Sequence, residues 1–467
     1  MITEKFRRQL RQEAAQWQTE GLINEDFYEQ LAARYQFCSI ETNAQNRFTN
    51  ILLSIGGLLL GLGVITFVAA NWQDWGREVR ILLLLSVFIT VNTIGFRLWQ
   101  RGRTPWQSLL GQALLFTGAL TLGANMALMA QMFHIGGAEF KLYLVWGVGV
   151  LLMAYSLRLT ILGVLAIALI GIGYWTGFSQ AASEENSLWL WVFTQMPILS
   201  AAAYLSLAYW CRSKWIFTLG MIAVMSALLN LISSYSWFAY WGNWQQGIWG
   251  LVSLILPPAF LWSFHDFPWR RSEEEPEVFA SIARKLGIFF IIYSSFFLSF
   301  YSSWSSSQTD IYEYGGNELS FFSLPIGLFT IWTIYNWVRL AQLQTTPPYL
   351  RLDLNNSVIL GILGTMAIVS FWHGNISNIP VLGTFIFNLL LFILGAGLTK
   401  EGLTKGDRLS FWMGMILLTG QIFSRTFEYE TGLLLKSLVL ILCGIGVMVA
   451  GVWFERYRHH QSVLAPN

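Results

Sequence analysis

From residue 49 onward the chain alternates long apolar runs with short polar joints, whereas its first 47 residues place apolar side chains at helical spacing on a polar background. A bilayer core takes about 20 residues of helix, with a range of roughly 17–25. Fourteen runs meet that length, at 49–70, 80–99, 106–131, 141–157, 159–178, 188–210, 215–235, 247–264, 286–304, 320–340, 357–373, 380–399, 409–424 and 433–454. Each is expected to be a helix, because no other open element satisfies its backbone in hydrocarbon. The fourth and fifth runs meet in a very tight turn at Arg158.

The opening segment has a different pattern. Phe6, Leu10, Ala14 and Trp17 recur at helical spacing, Gly21 is placed to end that helix, and Asn24 is placed to cap a second one that begins with Glu25 and Asp26. Phe27, Leu31 and Tyr35 would line the apolar face of the second helix. The expectation is a cytosolic helical hairpin over 1–47, either packed as a cap on the inner face of the bundle or used as a docking site for a cytosolic protein partner. A membrane domain of four spans follows at 48–158, a further one of about ten spans at 159–454, and a short cytosolic tail at 455–467. The stretch 265–285, with Glu273, Glu274, Glu275 and Glu277, reads as a solvated loop.

Composition removes the soluble alternatives. Of 467 residues 55% are hydrophobic and 12% charged, against about 25% charged in soluble domains. So few charges cannot cover a globule of this much apolar material, which excludes a soluble enzyme and a disordered chain. The net charge of +2 gives no pull toward nucleic acid. Cys38, Cys211 and Cys443 are too scattered for a disulfide framework or a zinc site. The polar start is unlike a cleavable signal, so the first apolar run is expected to act as an uncleaved insertion signal.

Basic residues set the expected orientation, since Lys and Arg are held in the cytoplasm. With fourteen spans and both termini cytoplasmic, 23 of the 28 basic residues fall inside, leaving Arg77, Arg80, Lys141, Arg425 and Lys436 outside. Nearly all of the 23 tryptophans lie near a span end or in a short loop, the exceptions being Trp17, Trp146 and Trp332. That distribution suits rings that prefer the headgroup region.

Several residues together form a familiar pattern. Trp17, then Glu20-Gly21-Leu22-Ile23 and Tyr35, precede a glycine-rich run from Gly56-Gly57 to Gly61 and Gly63 that ends in Val68-Ala69-Ala70-Asn71-Trp72. Gln131-Met132-Phe133-His134 closes the third run. Over about residues 5–158 this resembles an uncharacterised bacterial family of predicted membrane proteins, domain of unknown function 2157. The resemblance implies an integral protein of a bacterial inner (plasma) membrane or an internal membrane, and it implies no reaction.

Candidate sites each carry two readings. Asn71-Trp72-Gln73-Asp74-Trp75 is either an aromatic anchor with a helix stop or, through Asn71 and Asp74, a holder of hydroxyls or a lipid headgroup. Thr117, Thr121 and Asn125 repeat every four residues and share one helix face beside Gly111 and Gly118. That face is either a helix-packing seam or a polar path between helices. Gln131 and His134 end the same helix, as interfacial side chains or as path residues. Arg158 is a positive-inside marker if its turn lies at the surface, and a buried cation needing an anionic partner if the two short spans are re-entrant. Lys436, just inside the last run, either snorkels to the surface or belongs to the path. A Gln-x-Phe at the end of both the third and thirteenth runs, with Gln131 and Gln421, raises the idea of a duplication, although the following lysines lie at different spacings.

No Asp or Glu falls within any of the fourteen runs. Ion-coupled transporters usually keep such a residue despite its cost in the bilayer, so this argues against a proton-driven antiporter. No His-Glu-x-x-His, paired-Asp, P-loop or Cys-His grouping is present, and no catalytic residue, metal ligand or cofactor is assigned. Outer-loop aromatics, among them Trp237, Trp241, Tyr301, Trp304 and Tyr312, suit saccharides or lipid headgroups as well as an interfacial belt. The expectation is thus an all-α polytopic bundle with membrane lipids as partners. Its first functional reading is a facilitator or flippase-like transporter of a polar or lipid-linked substrate. The second is a non-catalytic membrane scaffold or assembly factor acting through the hairpin. A continuous hydrophilic cavity reaching Asn125 would favour the first.

Overall fold

The computed structural model describes residues 4–35, 74–182, 188–238, 243–266, 278–305, 319–342, 353–428 and 432–464. Among the described residues every regular element is a helix. The apolar run at 49–70 lies outside them. The chain divides into two compact units, Met1–Thr90 and Val91–Asn467.

The first unit contains the expected hairpin, α1 (Glu4–Thr19) and α2 (Glu25–Tyr35). Gly21 turns the chain at φ +75°, and the Leu22 amide returns to Trp17 O at 2.9 Å. Ala14 is fully buried, with Leu10, Trp17, Ile23, Tyr28, Leu31 and Ala32 around it. The second helix turns one residue away from the expected face. Tyr28, Leu31 and Ala32 are neighbours at i, i+3 and i+4 and point inward, while Phe27 is 52% exposed.

The remaining helices are α3 (Arg77–Arg101), α4 (Pro105–Met132), α5 (Glu139–Leu157), α6 (Thr160–Ala182), α7 (Leu188–Thr194), α8 (Met196–Cys211), α9 (Lys214–Phe238) and α10 (Asn243–Ser263). They continue as α11 (Val278–Leu298), α12 (Ser302–Ser305), α13 (Leu319–Gln342), α14 (Leu354–Asn375), α15 (Pro380–Lys405), α16 (Arg408–Glu428) and α17 (Leu433–Leu464). Nine described helices are long and apolar enough to cross a membrane, or ten if α7 and α8 count as one span. Helices α10, α13 and α16 occupy the places of expected spans but are not among those nine.

The run at 188–210 is not one straight helix. It breaks at Gln195, and α7 and α8 meet at 55°. Pro197 stands in the first turn of α8, where it supplies no N–H and its ring would collide with the carbonyl four residues back. The tight turn after α5 is as expected: Arg158 takes the left-handed conformation, φ 53°, and α6 begins at Thr160. The two helices form an antiparallel hairpin with touching backbones. A Cβ added at Gly147 would lie 2.6 Å from Ile170, and one at Gly173 would lie 2.9 Å from Leu144.

Trp146 is explained by the same close packing. Its ring covers Gly123 of α4, and its Nε1 donates to Ala119 O at 2.8 Å, so the indole is satisfied within the bundle. The larger core runs through α6, α8 and α9, where Leu162, Leu207, Ile216, Phe217, Met221 and Leu228 are fully buried. A second core joins α11, α14 and α15 through Ile291, Leu363, Met366 and Phe387. Trp304, expected in an aromatic outer loop, is instead 5% exposed in that second core. Its Nε1 donates to Leu298 O at 2.6 Å. Helix α17 is mostly exposed, with Phe454 stacked on Phe411 at 4.3 Å as its main anchor.

Candidate functional site

The described sequence-derived candidates lie on α4 and its cap, at the Arg158 turn, before α3 and in the first turn of α17. Thr117 and Thr121 donate their hydroxyls to carbonyls of their own helix, Ala113 at 3.0 Å and Gly118 at 2.9 Å. Thr117 is exposed, Thr121 half-buried and Asn125 buried. Gln131 and His134 are both exposed and end α4. His134 adopts φ 52°; its amide donates to Gln131 O at 3.3 Å, and that of Ile135 donates to Ala130 O at 2.9 Å. These two bonds form a Schellman cap with His134 in the left-handed position that glycine usually fills. Asp74 is exposed, and Asn71 lies outside the described residues. Lys436 is half-buried in the first turn of α17, its ammonium 5.2 Å from the Phe427 ring centroid.

Arg158 is exposed at the end of α5. Its guanidinium carbon lies 4.1 Å from the centroid of the Trp210 ring, and Trp210 Nε1 donates to Tyr155 O at 3.2 Å. The hairpin it closes consists of two helices that each meet the length of a span.

Among the described residues a cavity of about 240 Å³ lies between α6, α8 and α9. It arises where three short side chains meet: Gly171, Ser200 and Ala223 all line it. A Cβ on Gly171 would touch nothing within 4 Å. Trp175 and Ile222, 53% and 50% exposed, belong to its wall, so the cavity opens sideways on the outer face of the helices. Three of its four hydroxyls, all but that of Tyr204, are turned to the backbone. Ser200 Oγ donates to Pro197 O at 3.2 Å, Ser226 Oγ to Ala223 O at 2.8 Å, and Tyr174 OH to Ala227 O at 3.4 Å while accepting from Asn230 Nδ2 at 2.9 Å. An apolar cavity of this kind excludes water. It is also smaller than the roughly 300–1,000 Å³ that encloses a drug-sized ligand. It suits a length of hydrocarbon chain.

Two buried polar groupings were not legible as candidates. In the first, α16 turns Gln421, Arg425 and Glu428 toward α15 and the end of α11. Gln421 Nε2 donates to Asn388 O at 2.7 Å, Asn388 Nδ2 donates to Ser299 O at 3.0 Å, and Arg425 Nη1 donates to the same carbonyl at 2.6 Å. Arg425 also pairs with Glu428, the two side chains being 16% and 13% exposed. The helix runs past the expected end at 424, so the acid outside the apolar run is still inside the packed bundle. The regular spacing of Gln421 and Arg425 was the available signal. Gln421 is buried while Gln131 is exposed, so the two Gln-x-Phe elements have different environments.

In the second grouping Asp266, read as part of a solvated loop, is 2% exposed. Its Oδ2 accepts from the amides of Phe279 and Ala280 at 3.1 and 3.2 Å, and its Oδ1 accepts from Tyr209 OH. It therefore satisfies two amides that the start of α11 leaves unpaired.

These long apolar helices are what a chain solvated by lipid requires. Residues 15–163 match the family described as predicted membrane protein (DUF2157). No curated protein and no solved structure matches the chain. The DUF2157 match takes in the α4 face, the His134 cap and the Arg158 turn, and it ends one residue before Val164, the first residue of the cavity wall. The protein is accordingly an integral membrane protein of helical architecture, and its cavity is built by the part of the chain that follows the DUF2157 stretch.

Proposed function

We propose that this protein is a facilitator or flippase-like carrier of a lipid-linked substrate, holding the substrate's hydrocarbon chain in the lateral cavity at Gly171. What supports the reading is the chemistry of that cavity: apolar, open to the side, and sized for a chain segment rather than a whole polar solute. A free polar substrate is disfavoured, since Thr117 and Thr121 spend their hydroxyls on their own helix. Fourteen spans with both termini in the cytoplasm, in a bacterial inner or internal membrane, complete the proposal.

A photo-crosslinkable phospholipid with a diazirine in its tail, incorporated with the full chain into nanodiscs, tests it. Labelling should concentrate on α6, α8 and α9 and fall in Gly171→Leu, which fills the cavity. Labelling spread evenly over the exposed helices and unchanged in that variant would refute the reading. Reconstituted vesicles then give the rate of transfer of a fluorescent lipid between leaflets, which should fall in parallel.

The scaffold reading is favoured by one other observation. The hairpin leaves Leu22 and Phe27 exposed, 70% and 52%, as an apolar edge for a cytosolic protein. Co-purification of a partner that is lost in Phe27→Ser would support that role.

A further inference from the structure

We propose that the end of α6, α8 and α9 nearest Arg158 binds the phosphate of an anionic phospholipid whose acyl chain enters the lateral cavity. This rests on the reading of that cavity as a chain site.

The register of the helices places a level of charge just beyond the end of the cavity wall. A Cβ on Gly163 would meet Ile216 of α9 and Leu207 of α8, and further along Tyr174 OH meets Ala227 O. Helices α6 and α9 therefore run parallel with a constant offset, while α8 runs against them, with Tyr204 over Gly220. Arg158 stands just before α6, Arg212 just after α8, and Lys214 opens α9, so three cations reach one level. All three are exposed. Trp210 and Trp215, 49% and 71% exposed, stand among them. The Arg158 guanidinium lies over Trp210, an arrangement that uses the face of the group and leaves its edge geometry suited to phosphate oxygens.

Arg158 and Arg212 are both left-handed, at φ 53° and 48°. Each ends its helix in the left-handed cap position, as His134 does after α4, and glycine takes that conformation without the penalty that arginine carries. The cavity wall begins at Val164 and Leu219, roughly 8–9 Å along the helices from Arg158 and Lys214 at 1.5 Å per residue. It continues for about 16 Å, as far as Trp175. A phosphate at the level of the three cations thus lies within an acyl chain's reach of the cavity.

Because a tail leaving bulk lipid gains little from apolar burial, discrimination between lipids has to come from charge. Each basic residue near a membrane surface should be worth about fivefold in preference for an anionic headgroup.

The full-length protein in nanodiscs of equal phosphatidylglycerol and phosphatidylcholine, with identical acyl chains, provides the test, with retained lipids counted by native mass spectrometry. Phosphatidylglycerol should be enriched. Lys214→Gln and Arg158→Gly should each reduce the enrichment about fivefold. The glycine variant relieves the strained conformation, so it keeps its fold while losing the charge. Gly171→Leu should lower retention of both lipids without changing their ratio. Equal retention of the two lipids by the parent, or a ratio unmoved by both charge variants, overturns the headgroup site and leaves the chain site standing. Retention unaffected by Gly171→Leu overturns the chain site and, with it, the joined assignment. If inorganic phosphate displaces phosphatidylglycerol from the detergent-solubilised protein at equal concentration, the site takes a soluble anion and the lipid assignment fails.

Discussion

Replacing Arg425 by alanine strands a carboxylate inside a packed seam. Arg425 pairs with Glu428, donates to Ser299 O at 2.6 Å and Ser299 Oγ at 3.2 Å, and lies 4.1 Å from the Phe300 ring centroid. With the two side chains 16% and 13% exposed, water screens the pair poorly, and the value of roughly 0–1 kcal/mol for surface pairs does not apply. Removing one partner of a buried pair costs about 3–5 kcal/mol, because the other charge stays behind uncompensated. Glu428 keeps the Tyr301 amide at 2.5 Å, which places the loss near the lower end, about 3 kcal/mol. Glu428→Gln, which leaves the guanidinium on Ser299, should cost a similar amount. The double variant Arg425→Ala with Glu428→Gln strands no charge and should fall short of the sum of the two by about 2 kcal/mol, within the range of coupling seen for contacting residues. Steric trapping of the full chain in bicelles measures these free energies. Costs that add to within about 0.5 kcal/mol would mean the two residues do not act as a pair, and the seam would have to be assigned to its neutral hydrogen bonds alone.

The other expectations concern packing, capping and titration. Gly147→Leu forces a side chain against Ile170, 2.6 Å from the added Cβ, and should cost about 1–3 kcal/mol or more as overpacking. Gly171→Leu, with open space before it, should leave the melting temperature unchanged or raised; equal losses in the two would contradict the cavity. Asp266→Ala leaves the buried amides of Phe279 and Ala280 unpaired and should cost at least about 2 kcal/mol at 1–3 per unsatisfied group, read as increased hydrogen exchange confined to the first turns of α11. Asp407, before α16, is held below the usual carboxylate range by the Ser410 hydroxyl and the Leu409 amide. Because its folded value is depressed, its contribution is present above the ordinary carboxylate pKa and is lost as pH falls through the lower folded value. In Ser410→Ala that contribution should be smaller and its loss should be complete at a higher pH, as followed by melting temperature across the acid range.

What the sequence made legible follows from what hydropathy measures. The apolar runs located helices because lipid demands apolar surface over a fixed length, and the N-terminal hairpin was readable from Gly21 and the spacing of Leu10, Ala14 and Trp17. The break at Gln195 needed a different kind of signal, since hydropathy passes smoothly over Pro197. Asp266 and Glu428 were misjudged for a related reason: each lies just beyond an apolar run, and a run boundary says nothing about how neighbouring helices cover the joint. Trp304 was equally hidden, because an indole at a headgroup belt and one buried over Gly383 look alike in sequence. Thr117 and Thr121 bond their hydroxyls within the helix. That choice depends on rotamers that no spacing rule reports.

The cavity at Gly171 belongs to the same class of hidden feature, and its origin bears on its use. Small residues at one level on neighbouring helices ordinarily let those helices close together. Gly171, Ser200 and Ala223 lie at one level on α6, α8 and α9, yet the helices stay apart. On one side their spacing is fixed at Gly163, where Leu162, Leu207 and Ile216 are fully buried. On the other it is fixed at Tyr174, which bonds to Ala227 and Asn230 and packs edge-on to Phe193 at 5.8 Å. Closing the gap would require bending helices between two rigid contacts. In water such an apolar void would remain empty and would cost stability in proportion to its volume. A void that opens sideways into hydrocarbon carries no such penalty, because the solvent is itself a chain that fits it. In the proposed lipid site the Gly171 gap is filled by an acyl chain, and the cations at Arg158, Arg212 and Lys214 would distinguish one occupying lipid from another.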